Sequence, residues 1–313
     1  MKKGIFRFSL SISFLALAIL TKLSFAVEPL SVVASFSILG DLVRTIGGDQ
    51  VLVTTLVGPD GDAHVYQPTP FDAKAMAEAR LVVVNGLGFE GWLERLVKAS
   101  GFIGQVVVAS AGVNTRAMAT AHDQHYGHEG RHGMVDPHAW QDLKNGMIYV
   151  HNIAVALAEA DPNRATSYQK RAEDYLTQLR SLDQEIRERL AALPTDRRKF
   201  LTSHDAFGYF AEAYDLTILS PVGISTDAEA SAADVAALIR QVRTSRVKAI
   251  FVESITDPRL IERIAAETGA IVGGALYSDA LSGPHGPAAT YLSMFRNNLR
   301  VLLDVLATSA AQI

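Results

Sequence analysis

The stretch NRATSYQKRAEDYLTQLRSLDQEIRERLAAL, residues 163–193, has no glycine and is rich in Ala, Leu, Arg, Glu and Gln. Most of these residues lose little on entering a helix. It follows the break Asp161-Pro162 and runs into Pro194, whose ring cannot continue a helix. One long helix is therefore predicted over 163–193. On its N-terminal side, strand-like runs at 30–36, 51–57, 81–85 and 106–108 alternate with helical patterns at 38–46, 71–79 and 92–99. A further helix is predicted over 141–160. On its C-terminal side the alternation restarts, with strands at 199–202, 216–220, 249–252 and 270–272 and helices at 206–214, 232–244, 258–268 and 288–307. Strands separated by helices predict βαβ units and parallel sheets. The fold class is therefore α/β, two halves of one kind with a long helix between them. No internal sequence repeat is evident. No linker is rich in Gly and Ser, so the halves are joined stiffly.

The N-terminus bears on location. Lys2, Lys3 and Arg7 precede a mostly apolar run over 8–20, and Ser24-Phe25-Ala26 supplies the small residues of a cleavage site. This is the pattern of a secretory signal peptide, predicted over 1–26. The run is shorter than the ~20 residues needed to span a bilayer. With no Cys there is no lipoprotein cysteine, and an exported chain without disulfides must rely on burial for stability. Removal of Lys2, Lys3, Arg7 and Lys22 leaves 25 basic residues against 33 acidic ones, a balance of −8. That balance disfavours nucleic acid, which rewards clustered Lys and Arg. It suits a soluble periplasmic protein that meets cations.

The residues that carry chemistry are histidines. His122, His125, His128 and His132 fall within one short polar tract, predicted as a loop over 119–135. Imidazole is the commonest side-chain ligand for Zn²⁺ and related ions. Three further histidines stand at strand ends or helix starts: His64 in Asp62-Ala63-His64-Val65-Tyr66, His138 in Asp136-Pro137-His138-Ala139-Trp140, and His204 in Ser203-His204-Asp205-Ala206-Phe207. In open α/β sheets, ligands bind beyond the carboxyl ends of the strands. Three imidazoles leave one tetrahedral position, which a carboxylate would fill. Asp279 and Glu253 both follow strands, and the residues alone do not choose between them. Asp205 is read either as orienting a histidine or as a helix N-cap, His151 as structural, and His285 as exposed.

These motifs resemble those of the solute-binding proteins of bacterial zinc and manganese ABC importers, over about 32–306. The resemblance rests on Asp62-Ala63-His64-Val65-Tyr66-Gln67-Pro68, on Asn85-Gly86-Leu87-Gly88-Phe89-Glu90-Gly91-Trp92, on Asp136 to Trp140, on Ser203 to Tyr209, and on the late acidic segments at Glu253-Ser254 and Asp279-Ala280-Leu281. It implies two α/β domains, a rigid connecting helix and a metal in the interdomain cleft. The implied ligands are His64, His138, His204 and Asp279, with Glu253 supporting them and the loop histidines forming a weak secondary site. The implied boundaries are a signal peptide 1–26, a first domain 27–160, a connecting helix 161–194 and a second domain 195–313. The implied function is capture of Zn(II) in the periplasm by a monomer, and its delivery to an ABC permease at the membrane. A periplasmic metal donor is a candidate second partner. In this family the third ligand is commonly His in zinc proteins and Glu in manganese proteins, and position 204 is His. Replacing a carboxylate by imidazole also favours borderline-soft Zn²⁺ over hard Mn²⁺. The alternatives are a manganese-binding protein of the same family and a secreted zinc hydrolase. The latter is disfavoured because a fourth protein ligand, Asp279, would close the site to the water a zinc hydrolase must activate.

Overall fold

The computed structural model describes residues 28–117, 135–221, 223, 226 and 231–308. The predicted signal peptide and the histidines at 122, 125, 128 and 132 lie outside the described residues.

The first sheet is built from β1 (Leu30–Phe36), β2 (Val51–Val57), β3 (Leu81–Val84) and β4 (Gln105–Val108), interleaved with α1 (Ser37–Gly47), α2 (Pro70–Glu78) and α3 (Leu93–Ser100). All its pairings are parallel and the order is β2-β1-β3-β4. The pattern of burial follows that order. In the central strands Val32, Val33, Ala34 and all of β3 are buried, as expected where helices cover both faces. The edge strands expose Leu52, Val106 and Val108. Local chemistry starts the helices. Thr69 and Asp72 form a reciprocal cap at the start of α2, with Pro70 in its first turn, where a missing N–H costs nothing.

The second sheet contains β5 (Lys199–Leu201), β6 (Thr217–Leu219), β7 (Ala249–Ile250) and β8 (Ile271–Val272), with α6 (Gly208–Tyr214), α7 (Ala232–Thr244) and α8 (Arg259–Thr268) between them. Its order is β6-β5-β7-β8, again parallel. The two halves therefore share one strand order although their sequences show no repeat. In each, the order reverses direction between the first and third strands, and a crevice opens there at the carboxyl ends.

Between the halves run α4 (Leu143–Ala160) and α5 (Ala165–Ala191). The predicted long helix is present as one uninterrupted element of 27 residues, roughly 40 Å long at 1.5 Å per residue. Its buried face reads Tyr168, Ala172, Tyr175, Leu179, Leu182, Ile186 and Leu190, the three- and four-residue spacing of a helix stripe. It is bolted at both ends. The Arg171 guanidinium donates to the carbonyls of Ile46 and Gly47 at the end of α1, at 2.6 and 2.7 Å, and to Gln50. Arg187 pairs with Asp183 and donates to the Ala213 carbonyl of α6. The last helix, α9 (Tyr291–Leu306), returns from the second half to pack on α5 and α1. The main apolar core is continuous through the first sheet, α5 and α9, and a smaller cluster lies under α7 and α8. Among the described residues, no helix is long and apolar enough to cross a membrane.

Candidate metal centre

The segments that follow the strands of the two sheets meet. His64 lies beyond β2 and His138 beyond β4; His204 follows β5, and Asp279 lies beyond β8. One donor atom from each of the four falls within 4.8 Å of all the others. The Asp279 Oδ2 atom is 3.0 Å from His64 Nε2, 3.1 Å from His204 Nε2 and 3.5 Å from His138 Nε2, and the two Nε2 atoms of His64 and His138 are 3.4 Å apart. A tetrahedron with metal–ligand bonds of 2.0–2.1 Å has edges of roughly 3.3–3.4 Å, so these separations are those of donors around a small ion. The side chains of His138, His204 and Asp279 are at most 1 % exposed, and that of His64 is 5 % exposed. Asp279 Oδ1 is buried without a hydrogen-bond partner. A buried, unpaired carboxylate oxygen is costly, and an ion in the cleft would relieve it.

Each buried ring is oriented by a second carboxylate. Asp136 Oδ1 accepts from the backbone N–H of His138 at 3.0 Å and lies 2.9 Å from its Nδ1. Glu253 Oε1 accepts from the His204 backbone N–H at 2.8 Å, while Oε2 lies 2.7 Å from its Nδ1. Nδ1 of each ring lies on the carboxylate side, hydrogen-bonded to Asp136 in His138 and 2.7 Å from Glu253 Oε2 without hydrogen-bond alignment in His204, so Nε2 faces the cleft. This geometry separates Glu253 from Asp279, which sequence alone left open. Glu253 is turned to the far side of the His204 ring, and Asp279 stands among the imidazoles. Asp205 is not the cap of α6, which is Phe207, and no hydrogen bond from its side chain to a histidine is present among the described residues. His151 is exposed on α4, and His285 is exposed in its turn as expected.

Packing fixes the loops. His64 donates its backbone N–H to Asp62 Oδ1, and Trp92 Nε1 holds the Ala63 carbonyl at 2.9 Å. The Phe89 ring stands edge-on to His64 at 4.9 Å. A buried cluster lies behind His138: Glu90 accepts from Ser35 and from the backbone of Asn85 and Gly86, while Asn85 Nδ2 donates to the Pro137 carbonyl at 2.9 Å. Burial pushes the Glu90 carboxyl up in spite of those bonds. On the other side, the Ser278 carbonyl beside Asp279 accepts from both Trp140 Nε1 and Gln141 Nε2, at 2.9 and 2.6 Å. Trp140 and Gln141 belong to the first half, so the chain that carries His138 also positions Asp279. The motif spacing did not disclose these supports. The sequence signal for one of them was Asp136 two residues before His138.

The electrostatics are those of a site that holds protons until a cation replaces them. Burial works against a charged His138, but the Asp279 and Asp136 carboxylates outweigh it and hold the imidazole up at about 9. Burial likewise opposes a charged His204, and Glu253 and Asp279 raise it well above the ordinary imidazole range. Burial would push Asp279 up, but His138 and His204 hold it well below the usual carboxylate range.

Two parallel α/β domains that close on a buried set of three imidazoles and one carboxylate define a metal-binding protein of the solute-binding class. The family described as zinc-uptake complex component A, periplasmic, matches residues 32–305, and the chain belongs to that family. Relatives include the iron-binding protein YfeA of Yersinia pestis, 32 % identical over 90 % of this chain and 86 % of its own length. The manganese-binding lipoprotein MntA of Halalkalibacterium halodurans is 32 % identical over 90 % of this chain and 89 % of its length. Among solved structures, the periplasmic zinc-binding protein TroA of Treponema pallidum has a TM-score of 0.80 at 29 % identity, covering 90 % of this chain and all of that one. A manganese-bound periplasmic metal-binding protein of Candidatus Liberibacter asiaticus has a TM-score of 0.77 at 33 % identity, covering 88 % and 98 %. The family is one of substrate-binding components of metal ABC importers, which deliver metal to a permease.

Proposed function

We propose that this protein captures Zn(II) in the periplasm through His64, His138, His204 and Asp279 and hands it to an ABC permease. The observation that carries the reading is the convergence of three imidazole Nε2 atoms and one carboxylate in a buried cleft. Zinc is favoured by the donor set. Three nitrogens and one oxygen at near-tetrahedral separations suit Zn²⁺, whereas Mn²⁺ prefers an oxygen-rich octahedron. Glu253 could have supplied a second oxygen, but it lies on the Nδ1 side of the His204 ring, with Oε1 accepting from the His204 backbone N–H. The names of the relatives favour manganese or iron as the second reading. The hydrolase reading has no support in the family, whose members are transport components. The proposed organisation is an export signal over 1–26, domains over 27–160 and 195–313, and the connecting helix within 161–194. Metal analysis of protein isolated from the periplasm, followed by competition of Zn²⁺ against Mn²⁺ and Fe²⁺, tests the assignment. One tightly held zinc per chain is expected. Manganese retained in preference to zinc would replace the assignment with the second reading.

A further inference from the structure

Arg116 makes no contact with any of the four donors, yet its bonds reach both the ring of His138 and the opposite domain. Its Nη1 donates to Asp136 Oδ2 at 3.0 Å, and the Asp136 side chain is fully buried. The other oxygen of that carboxylate is the one that orients His138. Asp136 thus gives one oxygen to the ring and the other to Arg116. The backbone of Arg116 is engaged as well. Its carbonyl accepts from the Asp136 N–H at 2.9 Å, and its N–H donates to the Tyr209 hydroxyl at 3.0 Å. The Tyr209 hydroxyl in turn donates to the Asp136 carbonyl at 3.0 Å. Tyr209 belongs to α6 in the second domain, as does Glu212, whose carboxylate is 3.7 Å from Arg116 Nε. Ala117 and Val135 pair as an antiparallel bridge beside this cluster.

The helix start is shaped to admit the pair. A Cβ on Gly208, the first residue of α6, would run into the Arg116 guanidinium and would lie 2.6 Å from Asp136 Oδ2. Only a residue without a side chain lets α6 approach this closely. Three elements therefore interlock: the bridged segments at 116–117 and 135–136, the start of α6, and the loop that carries His138.

We propose that Arg116 is a positioning residue that sets how long the cleft retains its ion, by holding Asp136 against His138 while anchored to the second domain. The inference rests on the cleft being a metal site. Without the guanidinium, a buried carboxylate oxygen loses its cation, and the carboxylate is free to turn away from the ring. A metal-bound histidine that loses its orienting carboxylate typically loses about 10–100-fold in metal affinity. The backbone bond from Arg116 to Tyr209 does not depend on the side chain, and across the domains the guanidinium adds only the 3.7 Å approach to Glu212, so its effect runs through the buried Asp136 carboxylate. Truncating one partner of a buried charge pair acts on the rate of release more than on the rate of capture.

The test uses the full chain and zinc alone, with a chromophoric chelator as a trap for released ion. Arg116→Ala should release zinc about 10–100-fold faster than wild type, with a capture rate within about threefold of it. Arg116→Lys keeps one cation and should recover part of the loss. Gly208→Ala, which changes no charge, should act in the same direction, and its effect should shrink when combined with Arg116→Ala. If Arg116→Ala fails to fold, Arg116→Lys and Gly208→Ala carry the comparison. A variant that melts at a lower temperature without zinc but releases zinc at the wild-type rate would overturn the inference and leave the site intact. Wild type that binds no zinc, alongside an equally inert His138→Ala, would overturn the metal site itself.

Discussion

Acidity should compete with metal over a range set by the buried carboxylates and not by free imidazole. His138 is held up at about 9 in the metal-free protein, and a metal ligand must give up its proton. The sign follows from the raised value. Protonated His138 stabilises the metal-free fold fully below the unfolded imidazole value of about 6.5, and that contribution is lost as pH rises through about 9. Metal binding moves the opposite way and strengthens as pH rises through the same range. For one such proton, lowering the pH from 8 to 7 should weaken metal binding about ninefold, against about 1.3-fold for an imidazole of ordinary pKa. His204 is raised as well, so the slope should be steeper still. The assay is competition against a chelator of known proton affinity between pH 6 and 9, with calorimetry in buffers of different ionisation enthalpy to count the protons released. A slope near 1.3-fold between pH 8 and 7, with no proton released at pH 7, would refute the argument that Asp279 and Asp136 hold the imidazole charged.

The donors and their supports should differ in rank. His64→Ala, His138→Ala and His204→Ala should each raise the zinc Kd by more than about 100-fold, and Glu253→Gln by about 10–100-fold, read by chelator competition. Equal losses would place Glu253 among the direct ligands. Gly146→Ala should destabilise the fold by about 1–3 kcal/mol in denaturant titration, because the added Cβ would strike the buried Tyr291 ring where α4 meets α9. Deletion of residues 121–131 should leave cleft affinity nearly unchanged while lowering zinc stoichiometry towards one and slowing capture when zinc is scarce. Loss of tight binding in that deletion would make the loop histidines part of the primary site.

The elements of this fold are legible in the chain because each is a local pattern. Pro162 and Pro194 bracket the long helix, no glycine interrupts it, and the buried strand Leu81–Val84 declares itself as a continuous apolar run. The helices start within three residues of the predicted positions, and the differences lie at the ends. Residues 162–164 form a separate tight turn ahead of α5, and the predicted start at 288 becomes the Thr290 cap of α9. The three histidines were visible too, because each sits where a strand ends or a helix begins. Tertiary structure decided the rest. That β2-β1-β3-β4 and β6-β5-β7-β8 share one order depends on which strands pair, and pairing partners leave no periodicity in either half. Whether Asp279 or Glu253 faces the cleft depends on Trp140 and Gln141 gripping the Ser278 carbonyl from more than a hundred residues away. The charge on His138 depends on two carboxylates brought together in a place that excludes water. A single sequence records residue types and spacing, whereas proton affinity and coordination are set by distances of about 3 Å between groups remote in the chain.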